Sequence, residues 1–65
     1  MMITVNGEEK NRAGQSLDDL LRDEGFDKDK IAVGLNGQVV PKTQYASLVL
    51  NEGDAVEVFH FMGGG

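Results

Sequence analysis

The 65-residue chain has no cysteine, one proline, one tyrosine and one histidine, and its cations are outnumbered by its carboxylates. Without cysteine there is no disulfide, no thiolate metal site and no thiol nucleophile, a composition that fits a reducing compartment. The sole histidine, His60, has no partner at ligand spacing and reads as a strand residue rather than a base or a metal ligand. No basic segment precedes a long apolar run, so neither a signal peptide nor a membrane span is expected and a cytoplasmic location is. Six Lys and Arg against eleven Asp and Glu give a formal charge of −5. No cationic cluster is present to release phosphate counterions, which argues against nucleic acid as a partner. The acidic balance suits encounter with a basic docking surface, and it equally keeps a small protein soluble.

The groups that an enzyme of this size needs are also missing. There is no nucleophile beside a base, no paired carboxylates in a pocket pattern, and no glycine loop leading into a helix with a lysine. Asp27-Lys28-Asp29-Lys30 lacks the further acidic ligands, the glycine and the distal glutamate of an EF-hand loop, and reads as a solvated connector. Asp18, Asp19, Asp23 and Glu24 read as the solvent face of a helix. The chain is expected to be a non-enzymatic protein with no bound cofactor and no metal.

What is present is a single small α+β domain. Sixty-five residues form one core at most, burying about 60% of the surface of the unfolded chain. Met2 to Val5 alternates as a first strand, Asn6-Gly7 supplies a type I′ turn, and Glu8 to Arg12 returns as a charged edge. Ser16 is a helix N-cap with Asp19 in capping-box position, and Asp18 favours the positive dipole end. The spacing of Leu17, Leu20 and Leu21 predicts a helix from Leu17 to about Glu24 with one apolar stripe, and Asp18 and Arg22 pair on its outside. Gly25 stops the helix, with Phe26 folding back on its last turn. Ile31, Val33 and Leu35 mark a third strand. Asn36-Gly37 turns it into Gln38 to Val40, and Pro41 ends the hairpin. Thr43 to Leu50 is a compact connection with a single helical turn, carrying Tyr45, Leu48 and Leu50 inward, and Asn51 to Asp54 is a turn.

Ala55 to Met62 is the last and most apolar strand, and both of its faces carry apolar groups. Val56 and Val58 are assigned to the face that meets the leucine stripe, because β-branched groups pack well on a pleated sheet. Phe59 and Phe61 then lie on the open face beside the chain end and are candidate partner-docking residues. The expected division is a domain over residues 1–62 and a flexible glycine tail over 63–65.

Gly63, Gly64 and Gly65 follow directly on that strand. Three glycines extend a strand poorly, reach about 10 Å at full extension, and can enter a channel too narrow for side chains. The group they deliver is the α-carboxylate of Gly65. It is ionised at cellular pH and, through resonance, a poor electrophile, so it requires activation from outside. Transfer of AMP makes it a mixed anhydride open to a persulfide, a thiol or an amine. ATP and Mg²⁺ belong to that activating partner.

Together, the Asn-Gly hairpins, the capped leucine helix, Asn36-Gly37-Gln38-Val39-Val40-Pro41, Gly53-Asp54-Ala55-Val56-Glu57-Val58 and the glycine terminus resemble the ThiS family of thiamine-biosynthesis sulfur carriers over the whole chain. The resemblance implies a ubiquitin-like β-grasp fold with a mixed sheet of four to five strands and one helix on one face. It further implies adenylation of Gly65 by a ubiquitin-activating-like adenylyltransferase of ThiF type, then a thiocarboxylate filled from a persulfide donor and passed to a thiazole synthase of ThiG type. Gly63 and Gly64 would thread into the partner, and the free domain is expected to be a monomer. The diglycine end is shared with the molybdopterin-synthase small subunit of the MoaD type and with ubiquitin-like modifiers. A β-grasp interaction module with an inert tail is the reading of a different class.

Overall fold

The computed structural model describes residues 1–61. The end assigned to the last strand, Met62, and the tail residues Gly63, Gly64 and Gly65 lie outside the described residues. The elements run β1 (Ile3–Val5), β2 (Glu8–Lys10), α1 (Leu17–Asp23), β3 (Ile31–Leu35), β4 (Gln38–Val40), a 3-10 turn (Lys42–Gln44) and β5 (Ala55–His60). They form the expected α+β, ubiquitin-like β-grasp architecture, with a five-stranded mixed sheet in the order β2-β1-β5-β3-β4. The pairs β1·β2, β3·β4 and β3·β5 are antiparallel, and β1·β5 is parallel. Two boundaries are shorter than the sequence suggests. β2 stops at Lys10 rather than Arg12 because Ile3, its partner there, is the first residue of β1. β5 stops at His60, which faces Ile31, the first residue of β3.

Both hairpins turn on Asn-Gly with the expected positive φ: Asn6 at 50° and Gly7 at 86°, Asn36 at 50° and Gly37 at 87°. Each asparagine does more than tolerate that backbone. Past Val5, β1 turns away from β5, and the Asn6 side chain takes over the pairing: its Oδ1 accepts from the Val58 N–H at 2.8 Å while its own N–H donates to the Val56 carbonyl at 2.9 Å. On the other edge the Asn36 N–H donates to the Ala55 carbonyl at 2.8 Å, and its Oδ1 accepts from the Ala55 N–H at 2.9 Å. Asn36 Nδ2 also donates to Asp54 Oδ1 at 3.1 Å. The two turns thus fasten opposite edges of the same central strand.

The helix is built as its sequence dictates. Ser16 Oγ accepts from the Asp19 N–H at 3.1 Å, one half of a capping box. The remaining donors of the first turn are satisfied by the segment that follows the 3-10 turn: Leu17 N–H donates to the Leu48 carbonyl and Asp18 N–H to the Tyr45 carbonyl. This is why Tyr45 and Leu50 are buried although they lie in irregular chain. At the other end Gly25 adopts φ 83°, Phe26 N–H donates to the Leu21 carbonyl and Gly25 N–H to the Arg22 carbonyl, a complete Schellman ending. The Asp18–Arg22 pair does not form. Arg22 instead pairs with Asp19, and Asp18 with Lys28 at 3.6 Å, because the connector after Gly25 folds back along this side of the helix. Arg12 reaches Asp23 at 3.1 Å and Glu24 at 3.2 Å, and Lys10 reaches Glu24 at 3.4 Å. These cations offset two carboxylates at the negative end of the helix dipole and tie the β1–β2 hairpin to α1.

The core lies between α1 and one sheet face. Leu17, Leu20 and Leu21 are fully buried against Ile3, Val5, Ile31, Val33, Val40, Val56 and Val58. Each such leucine contributes about 1.5–3 kcal/mol relative to exposure, so a few side chains carry most of the stability of so small a domain. Replacing Leu20 by alanine is expected to lower the unfolding free energy by about 2–5 kcal/mol in urea titration. Asn6→Ala leaves the Val58 N–H without its acceptor and is expected to cost about 1–3 kcal/mol in the same titration. Asn6→Asp, which keeps an oxygen and the turn, should lose clearly less.

Candidate functional site

Alternation along β5 sorts its side chains from Ala55 to Phe59. Val56 and Val58 are buried under the helix, whereas Ala55, Glu57 and Phe59 are exposed on the opposite face. Phe59 is 52% exposed and Phe61 62%. The open-face assignment of both phenylalanines therefore holds. Phe61 lies just past β5, yet its N–H still donates to the Lys30 carbonyl at 3.1 Å, so the backbone keeps its course beyond the last strand residue.

The neighbours of Phe59 come from the register. Phe59 is opposite Ala32 and Glu57 is opposite Gly34 on β3, and Gly34 in turn is opposite Val39 on β4. A Cβ placed on Gly34 would lie 3.8 Å from Phe59 Cε2 and 4.0 Å from Glu57 Cβ. The edge of the Phe59 ring and the stem of Glu57 thus both border Gly34, which is buried. Val39, 79% exposed, continues the apolar surface onto the edge strand. The sequence reading missed Val39 and Gly34. The signal available for both was parity, since 34 and 39 fall on the strand positions opposite to Val33 and Val40.

His60 lies at the end of the sheet on the helix side, its ring centroid 5.6 Å from that of Phe26. This is an aromatic contact that closes the end of the core, as expected for a strand residue. Among the described residues no group of three or more His, Asp or Glu is arranged to hold a metal ion. The groove beside the C-terminus of α1, with Leu21, Phe26, Asp27 and Lys28 in its lining, brings together no nucleophile and base. What the described chemistry can do is bind: a partly apolar, partly acidic sheet face directly precedes the glycine tail. The residues proposed to react and to thread, Gly65, Gly64 and Gly63, lie outside the described part.

Comparison with known proteins places these features in context. The ThiS family model matches residues 3–65. The crystal structure of a thiamine biosynthesis protein (ThiS) from Geobacter metallireducens superposes with a TM-score of 0.83 at 32% identity, covering all of both chains. Thiazole synthases of Magnetococcus marinus and Paramagnetospirillum magneticum are 47% and 42% identical over 66 residues, covering all of this chain. The chain spans 20% of the length of those two relatives.

Adjacent residues on opposite faces provide a check of the site. Val58→Ala is expected to lower the unfolding free energy by about 1–3 kcal/mol, and Phe59→Ala to lower it by less. The reverse order in urea unfolding would show that the sheet faces have been exchanged.

Proposed function

The chain belongs to the ThiS family, and on that premise we propose that it is a sulfur carrier for thiamine biosynthesis whose working group is the Gly65 carboxyl. The observation that carries this reading is the extent of the family match, which runs through the terminal glycines to residue 65. The chain itself supplies no catalytic groups in this reading. It is the substrate of an adenylyltransferase and the co-substrate of a thiazole synthase.

A ThiF-type adenylyltransferase, holding ATP and Mg²⁺, joins AMP to the Gly65 carboxylate and releases pyrophosphate. The carbonyl carbon then bears a good leaving group. Attack by a persulfide sulfur expels AMP, and reductive cleavage of the sulfur–sulfur bond by a thiol leaves the thiocarboxylate on Gly65. Gly63 and Gly64 let this end enter a closed site, since neither has a Cβ to clash with the channel wall. The folded body provides remote binding energy that positions the reacting carbon. Phe59 and Phe61, exposed on the sheet face that leads into the tail, are the docking residues of that body.

A ThiG-type thiazole synthase is the proposed acceptor of the sulfur. Support comes from the two thiazole synthases that carry, within one longer polypeptide, a region alike to all of this chain. Transfer between parts that need each other is aided when they are held together, because a second encounter then becomes intramolecular.

Incubation with a ThiF-type adenylyltransferase, ATP and a sulfur source is expected to exchange one oxygen for one sulfur in the intact mass. An unchanged mass would overturn the reading. Deleting Gly65 should abolish the exchange. Phe59→Ala should weaken binding to the adenylyltransferase about tenfold while leaving the chain folded. Equal affinity of this variant and the wild type would remove Phe59 from the docking face.

A further inference from the structure

The open sheet face contains a carboxylate that nothing in the described fold uses. Five of the six Lys and Arg are engaged with other carboxylates: Lys10 and Arg12 with Glu24 and Asp23, Arg22 with Asp19, Lys28 with Asp18, and Lys42 with Asp29. Glu57 takes part in none of these pairs, although it stands in the middle of the sheet among apolar neighbours. Its flanking open-face residue on β5 is Phe59, and its cross-strand partner is Gly34. The Glu57 stem and the edge of the Phe59 ring both approach the empty space above Gly34, at 4.0 and 3.8 Å from the point where a Cβ would stand. The stem that carries an anionic group and a half-exposed aromatic ring therefore stand side by side on one face of the same strand.

We infer that this face is read by an arginine of the activating partner, its guanidinium laid against the Phe59 ring and paired with the Glu57 carboxylate. The inference rests on the reading above, in which the open face meets an adenylyltransferase. The ring attracts a cation to its face and the carboxylate accepts its N–H groups. A guanidinium, planar and weakly hydrated, meets both demands at once, whereas an ammonium is a compact and strongly hydrated point charge. The surrounding charge agrees. The chain carries −5 overall, and the open face also bears Glu9, opposite Thr4, so a basic partner surface is drawn to this side. Gly34 leaves the space beside the pair open: a methyl there would make ordinary contacts with both, and a bulkier side chain would compete with the arginine for that space.

The test is titration of purified ThiF-type adenylyltransferase with wild type, Glu57→Gln, Phe59→Leu and Gly34→Leu, each first shown to be folded by urea unfolding. Glu57→Gln is expected to raise Kd about tenfold at low salt, the gap narrowing at high salt as screening removes the charge term. Phe59→Leu keeps the apolar volume but not the ring and should raise Kd severalfold, as should Gly34→Leu. If Glu57→Gln binds as wild type does while both gain sulfur in the intact-mass assay, the arginine contact is overturned and the carrier function stands. If the wild type itself gains no sulfur, the functional reading fails and this inference fails with it.

Discussion

The fold depends on the insertion of its last strand into the middle of the sheet. β5 pairs with β1 on one edge and with β3 on the other, so neither hairpin belongs to a common sheet until β5 lies between them. A strand in that position must have its backbone groups satisfied on both sides, since an unpaired buried N–H costs about 1–3 kcal/mol. β1 is only three residues long and cannot cover β5 by itself. The Asn6 amide extends it, and the Asn36 amide performs the matching task at the start of β5 on the other edge. The same strand is the one that the glycines follow in the sequence.

The two faces of β5 divide its side chains between the core and solvent. Val56 and Val58 sit under the leucines of α1, where a change of volume is felt by the whole core. Glu57, Phe59 and Phe61 face away from that core, and their chemistry can vary with little cost to folding. An apolar face of this kind is a hazard for a protein of so few residues, because exposed edges and patches promote association. The excess of carboxylates over cations counters it through mutual repulsion between copies.

Much of this was legible in the sequence because local rules and the global fold agree. The Leu17, Leu20 and Leu21 stripe, the Ser16 cap, the Gly25 stop and both Asn-Gly turns each specify one backbone geometry, and each appears as read. The inward course of Tyr45, Leu48 and Leu50 also held, although the reason is tertiary: their carbonyls and neighbours close the first turn of α1. Side-chain partners were not legible in the same way. Asp18 and Arg22 are correctly spaced to pair, but Lys28 and Asp19 compete for them once the connector folds back. The link from Asn6 to Val58 joins residues 52 positions apart and leaves no local trace. The closeness of Phe59 to Gly34 needed the register of β3 against β5, which periodicity alone does not supply.

The parallel pairing of β1 with β5 bears on how the domain meets tension along its central strand. Tension applied beyond Phe61, with the body held back through its first strand, slides these two strands past each other along their length. The bonds from Thr4 N–H to the Asp54 carbonyl, from Asn6 N–H to the Val56 carbonyl and from Val58 N–H to Asn6 Oδ1 then bear the load together rather than opening in sequence like a zip. The short first strand and its asparagine therefore act as one clamp against shear along the central strand.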